Sequence, residues 1–505
     1  VYMINGRTIA RQSLLNFAGL TLPILLALVS IPYTIRGLGT ERFGILTVAW
    51  TAVGYFSLFD LGLAAALTKI VAEKLAADGA DEIPSIAWTG EILMLLLGVL
   101  GGVLLALITP LLTYRVLKIP TAFEREGLYS LYLIAFSIPW VIGAAGLRGL
   151  LEAHQRFGAV NALRVPMGVF TYLAPLAVLP FSKSLVPVVA ALVLGRVAAW
   201  VAHLLVCFHE IPSLARRPVL RLDLFGLLAR YGGWVTASNI SSTLMTYLDR
   251  FLIGAAISMA AVTYYTTPYD TITRVWIIPS AILGALFPAL SATFVQDRER
   301  TSRLFDQGIR VLFLVIFPVT LVVVALAREG LALWLGTDFA VHGARVLQWL
   351  AVGVFINSIG MVPGAGLQGI GRPELTGKLN MVELPFYVAV LWVMLRTWGI
   401  EGAAIAWTLR VTIDTAILCV MADRVLPAGS GIVRRTATLL VPSIVVLAGA
   451  AFLPTLGSRL VFLLAVSLPF LAIAWNRVLT PNERRLVGRR FAADADVTAA
   501  LHPPL

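Results

Sequence analysis

Apolar stretches long enough to cross a bilayer recur along nearly the whole 505-residue chain. A spanning helix takes about 20 mostly apolar residues. The stretches that meet this are 14–35, 43–67, 86–112, 127–147, 159–181, 187–208, 231–256, 262–290, 309–327, 346–369, 379–397, 402–422, 437–455 and 460–476. In hydrocarbon every backbone amide must be satisfied within the protein, and uninterrupted apolar runs do this as helices. The pattern predicts an all-α polytopic membrane protein with about 14 transmembrane helices. Composition excludes a soluble alternative: 59% of residues are hydrophobic and 13% charged, against roughly 25% charged in an ordinary soluble domain.

The formal charge of +12, from 39 Lys and Arg against 27 Asp and Glu, invites a nucleic-acid reading only until the basic residues are placed. They lie mostly in short links between apolar runs, as topology signals and contacts for anionic membrane lipids do. No nucleic-acid partner is expected. With the N-terminus inside, about 25 basic residues fall in cytoplasmic links and about 10 in external ones, which predicts both termini in the cytoplasm. The first run follows Arg7 and Arg11 and precedes no small-residue cleavage signal, so it reads as a spanning helix. Cys207 and Cys419 sit inside apolar runs and read as small buried residues, and the five histidines form no ligand cluster, so neither a metal nor another cofactor is expected.

The two halves resemble each other. Gly19 and Gly233, Tyr33 and Tyr247, Arg36 and Arg250, and Tyr55 and Tyr269 all lie 214 residues apart. A parallel repeat of this kind predicts two pseudo-symmetric six-helix bundles, over 1–208 and 231–423, joined by a cytoplasmic linker at 209–230. An extra helix pair and a basic cytoplasmic tail occupy 424–505. No loop is large enough to form an extramembrane domain, so function is expected within the bilayer.

Charges inside the apolar runs need a reason, since each costs roughly 2.5–3.5 kcal/mol on insertion scales. The candidates are Asp60, Arg196, Asp249, Arg250, Asp270, Arg274, Glu383, Arg410 and Asp414. Asp270 and Arg274, like Arg410 and Asp414, are four apart and would share a helix face. A self-neutralising pair explains Arg410 and Asp414 without further function. Asp60 and Arg274 also share the 214-residue offset, which would set them at matching places in opposite bundles. Arginine is the natural partner of phosphate oxygens; Arg36, Arg250 and Arg274 are the candidates, with interface anchoring the structural alternative for Arg36 and Arg250. Asp60, Asp270 and Glu383 are candidates for coupling an ion or proton, with helix-packing hydrogen bonds as their alternative.

The segment IPYTIRGLGTERFGILTVAWTAVGYFSLFDLGLAAALTKIVAE (Ile31–Glu73), with its LG-x₃-FG spacing and FDLGL, resembles the opening of polysaccharide transporters. These are the Wzx-type O-antigen flippases of the multidrug/oligosaccharidyl-lipid/polysaccharide exporter superfamily. YLDRFLIG (Tyr247–Gly254), YYTTPYD (Tyr264–Asp270), LFPALSA (Leu286–Ala292) and GIEGAAIAWTLR (Gly399–Arg410) agree with it. The resemblance implies a flippase, not an enzyme. Such a protein moves undecaprenyl-diphosphate-linked oligosaccharide to the periplasmic leaflet of a bacterial inner membrane by alternating access, driven by a proton or sodium gradient. It also implies polysaccharide polymerase and glycosyltransferases as partners. A lipid II flippase or drug exporter of the same superfamily is the nearer alternative. An arginine-rich first helix and an acidic-Ala-Phe segment, typical of lipid II flippases, are missing here. A membrane-embedded polymerase or ligase is the alternative of another class, and the short external links, without clustered His, Asp or Arg, count against it.

Overall fold

The computed structural model describes residues 6–56, 62–77, 79–215, 221, 244–426 and 431–474, and all regular structure among them is helical. The first seven helices are α1 (Gly6–Leu38), α2 (Thr40–Phe56), α3 (Leu63–Ala76), α4 (Ile83–Leu111), α5 (Glu124–Ala153), α6 (Phe157–Val178) and α7 (Leu185–Glu210). Then come α8 (244–256), α9 (Met259–Ile272), α10 (Ile277–Gln296), α11 (Arg298–Ala325), α12 (Ala327–Leu335) and α13 (Thr337–Gly369). The last three are α14 (Pro373–Val425), α15 (Ile432–Phe452) and α16 (Leu456–Ile473). Seven described helical segments are long and apolar enough to cross a membrane, and two shorter apolar ones, Leu22–Leu38 and Leu456–Ala472, join them.

The apolar runs and the helices differ in instructive places. The run 43–67 is two helices, α2 and α3. The run 262–290 is also two, because a 3₁₀ turn at Thr273–Trp276 separates α9 from α10. Pro279 falls in the first turn of α10, where its missing N–H leaves no intrahelical bond unmade. The runs 379–397 and 402–422 correspond to two helices that meet at a kink within α14, at Gly399, whose φ of 60° and ψ of −141° no side chain would tolerate cheaply. The short α12 was not legible as a separate element.

The chain forms two compact units, one of Val1–Asp270 with Gly377–Ala406 and one of Thr271–Thr376 with Trp407–Leu505. In the first, α5 packs against α4, α3 and α7, and α6 against α1 and α7. Gly98 and Gly102 of α4 lie directly against the backbone of Pro139 and Ala135 of α5, the close approach that small residues spaced by four allow. In the second unit α11 is central, touching α10, α13, α15 and α16. Its Phe313 and Phe317 stack at 5.5 Å and meet Phe355 of α13 and Phe470 of α16.

Both cysteines are buried and free: Cys207 donates weakly to the Leu147 carbonyl and Cys419 lies 3.8 Å from the Thr436 hydroxyl.

Candidate functional site

The first unit holds a buried polar cluster where α2, α8 and α9 meet. It grows from two short segments, YLDR (Tyr247–Arg250) on α8 and YYTTPYD (Tyr264–Asp270) on α9. Asp249 is buried and fully used: Oδ1 accepts the Arg250 backbone N–H at 2.8 Å and Oδ2 accepts the Tyr265 hydroxyl at 2.6 Å. These bonds fix α8 against α9 and set the direction of Arg250.

The Arg250 guanidinium then meets three kinds of partner. Its Nη2 pairs with Asp270 Oδ1 at 2.5 Å, and its Nη1 donates to Thr51 Oγ1 of α2 at 3.3 Å. Tyr247 and Tyr269 present ring faces at 5.5 and 5.4 Å, within cation–π range. Tyr269 in turn stacks on Tyr265 at 6.0 Å. Nε is buried with no hydrogen-bond partner among the described residues. Within the ion pair the exposure is lopsided: the Arg250 side chain is 8% accessible, that of Asp270 41%.

The turn joining α8 and α9 is held at both sides. Lys118 donates through its backbone to the Gly254 carbonyl at 3.0 Å and through Nζ to the Ala256 carbonyl at 2.6 Å, placing a cation at the C-terminus of α8. Glu41 accepts the Ala260 N–H at 3.0 Å, an acid at the N-terminus of α9. Beside it Thr263 donates to the Thr40 carbonyl at 2.7 Å, and Gly44 meets the Met259 carbonyl so closely that a Cβ has no room. The LG-x₃-FG segment is thus the brace of α9.

Of the sequence candidates, Arg250 and Asp270 are brought together. Arg250 is a buried, paired residue in the middle of the described part of α8. Arg36 is exposed in the last turn of α1. Glu383 is buried on α14 in the same unit as Arg250, one helical turn from buried Tyr387, whose phenol acts electrostatically on Tyr265. Arg274 lies in the 3₁₀ turn that follows α9, and belongs to the second unit. Asp60 lies outside the described residues. Asp414 and Arg410, one turn apart on α14, act on each other as expected.

Sequence reasoning gave no role to Asp249, and it overlooked Tyr265, Thr51 and Glu91. Glu91 of α4 is 3% accessible; Oε1 accepts the Trp200 indole N–H of α7 at 2.8 Å while Oε2 has no hydrogen-bond partner. It faces Gly143 and Gly146 of α5 and borders an apolar pocket with Trp88, Leu147 and Phe208. A lone carboxylate five residues into an apolar run was the available signal.

Residues 9–294 match the model of a family described as polysaccharide biosynthesis protein. The chain is 30% identical over 414 residues to a candidate O-antigen transporter of Shigella flexneri, covering 81% of this chain and 97% of that one. Among solved structures, an inward-facing multidrug-resistance MATE transporter of the MOP superfamily is similar with a TM-score of 0.71 at 15% identity, over 84% of this chain and 98% of that one. The lipid II flippase MurJ in an inward closed conformation is similar with a TM-score of 0.70 at 12% identity, over 93% and 100%. At these identities the two structures speak for the fold alone.

Proposed function

This chain belongs to the polysaccharide biosynthesis protein family, and from that premise we infer that it is a multi-pass membrane flippase for lipid-linked oligosaccharide. The observation that carries the reading is similarity along 97% of the length of an O-antigen transporter. Drug exporters and lipid II flippases share the fold at far lower identity, which leaves them as fold relatives.

The chain crosses a bacterial inner membrane about 14 times, with α9–α10 and the two halves of α14 each supplying part of that count. Two pseudo-symmetric six-helix bundles, 1–208 and 231–423, work by alternating access, α15 and α16 form the extra pair, and the arginine bias of the links keeps both termini in the cytoplasm. The substrate head group is a diphosphate on an undecaprenyl chain. Arg250, with Arg36 and Arg274, binds its oxygens, while Asp60, Asp270 and Glu383 couple a proton or sodium gradient to transport. Glycosyltransferases supply the substrate and a polymerase consumes it.

What supports the assignment of Arg250 is that its cation sits deep in the protein, is aimed by Asp249, and retains an unused N–H. Reconstitution tests the function. Vesicles containing the purified protein should move a polyprenyl-diphosphate oligosaccharide between leaflets, read as loss of accessibility to an external glycosidase. Movement of lipid II with no movement of the oligosaccharide overturns the assignment.

A further inference from the structure

The Arg250–Asp270 pair is incomplete in a specific way. An arginine offers Nε and Nη2 along one edge, parallel donors that suit two oxygens of one acid. Arg42 shows the edge fully used in this same unit: Nε and Nη2 each reach a different oxygen of Glu126 at 2.8 Å. Along the same edge of Arg250, Nη2 is engaged by one oxygen of Asp270, and Nε stays buried with no acceptor among the described residues. The guanidinium cannot simply be uncovered, because stripping a buried cation of its counter-charge costs several kcal/mol. It can be exchanged. Asp249 spends its oxygens on the Arg250 backbone N–H and on Tyr265, and Thr51 is neutral, so among the described residues Asp270 is the acid hydrogen-bonded to the guanidinium itself. Asp270 is also the accessible member of the pair. An anion arriving from the accessible side reaches Asp270 before Arg250.

We propose that Asp270 is the exchangeable counter-ion of Arg250: a diphosphate head group displaces it, takes both Nε and Nη2, and yields the edge back to Asp270 on release. This rests on the reading that Arg250 binds the substrate diphosphate. A phosphoryl group brings more charge and more oxygens than a carboxylate, which favours entry. The returning carboxylate shortens the stay of the bound head group, so Asp270 trades affinity for turnover.

Farnesyl diphosphate titrated onto the full-length protein in nanodiscs tests this, with inorganic pyrophosphate as the lipid-free arm. Asp270→Asn removes the competitor and is expected to tighten farnesyl diphosphate binding about tenfold, the scale of one charge-assisted hydrogen bond. Asp270→Glu, whose longer arm reaches Nε as Glu126 does on Arg42, is expected to weaken it several-fold. In vesicles Asp270→Asn lowers both KM and kcat for the lipid-linked oligosaccharide. A purely structural role makes both variants bind worse, and that result overturns the proposal, as does no change in either. Asp270→Ser replaces the amide where that variant does not accumulate. Arg250→Gln separates the two claims: if it leaves diphosphate binding intact, the reading of Arg250 fails; if it abolishes binding while Asp270→Asn fails to tighten it, only the counter-ion exchange fails. Binding of pyrophosphate equal to that of farnesyl diphosphate assigns the site to phosphate alone and removes any share of the lipid in it.

Discussion

Two arginine–carboxylate pairs in the first unit differ in almost every respect that matters. Arg42 and Glu126 meet edge to edge through two 2.8 Å bonds, and Glu126 further accepts the Leu185 N–H at 3.0 Å, so one acid ties α2 and α5 to the start of α7. Phe123 lies 4.4 Å beneath the Arg42 guanidinium. Exposure is even, 24% and 21%. Arg250 and Asp270 share one bond, leave a donor unused, and divide their exposure unequally. The first geometry is that of a clamp, in which every polar atom gains from staying. The second keeps a buried cation in place and leaves its acid the more accessible partner. Satisfaction of the arginine edge, more than burial or charge, separates a brace from a binding group.

The contrast can be broken in four ways. Arg250→Gln should lower flipping per folded molecule about ten- to a hundredfold, the worth of a charge-assisted hydrogen bond of roughly 1.5–3 kcal/mol realised during transport; a vesicle assay normalised to folded protein reads this. Glu126→Ala should do the reverse. It lowers the thermal midpoint in detergent by an amount equivalent to about 2–3 kcal/mol and leaves flipping per folded molecule nearly unchanged; a large transport defect at equal stability would make the clamp part of the machinery. Thr51→Ala removes the long 3.3 Å bond from Arg250 and should cost about 0.5–1.5 kcal/mol, seen as a two- to tenfold weaker affinity for farnesyl diphosphate, with Thr51→Ser restoring it. Smallest of all, Lys69→Ala breaks a half-exposed pair with Glu73, 3.7 Å apart, and should shift stability by no more than about 0.5 kcal/mol.

Helical architecture was legible because hydrocarbon imposes it: a run such as 86–112 or 187–208 has no other way to satisfy its amides. Hydropathy reports only some of the places where such a run breaks. The kink at Gly399 falls in the gap between the runs 379–397 and 402–422, whereas the 3₁₀ turn at Thr273–Trp276 lies inside the run 262–290. The site was legible as a set of charges but not as a set of pairs. Spacing suggested Asp270 with Arg274, since four residues make one helical turn; it could not suggest Arg250, a partner 20 residues back and on another helix. Asp249 and Arg250 are adjacent in sequence yet play opposite roles, one sealed by Tyr265 and one left with a spare donor, and only packing distinguishes them. The LG-x₃-FG segment was read as a family mark. Its physical task, Glu41 on the end of α9 and Gly44 against Met259, needed coordinates.

The brace on the α8–α9 turn also sets an order of events during biosynthesis. Glu41, Thr51 and Lys118 leave the ribosome long before the turn they hold, so α8 and α9 emerge onto a finished mould. Arg250 precedes Asp270 by 20 residues, an interval of about 1–4 s at roughly 5–20 residues per second of translation. For that time the nascent cation is steadied by a threonine hydroxyl, a neighbouring aromatic ring and whatever anion the young bilayer supplies.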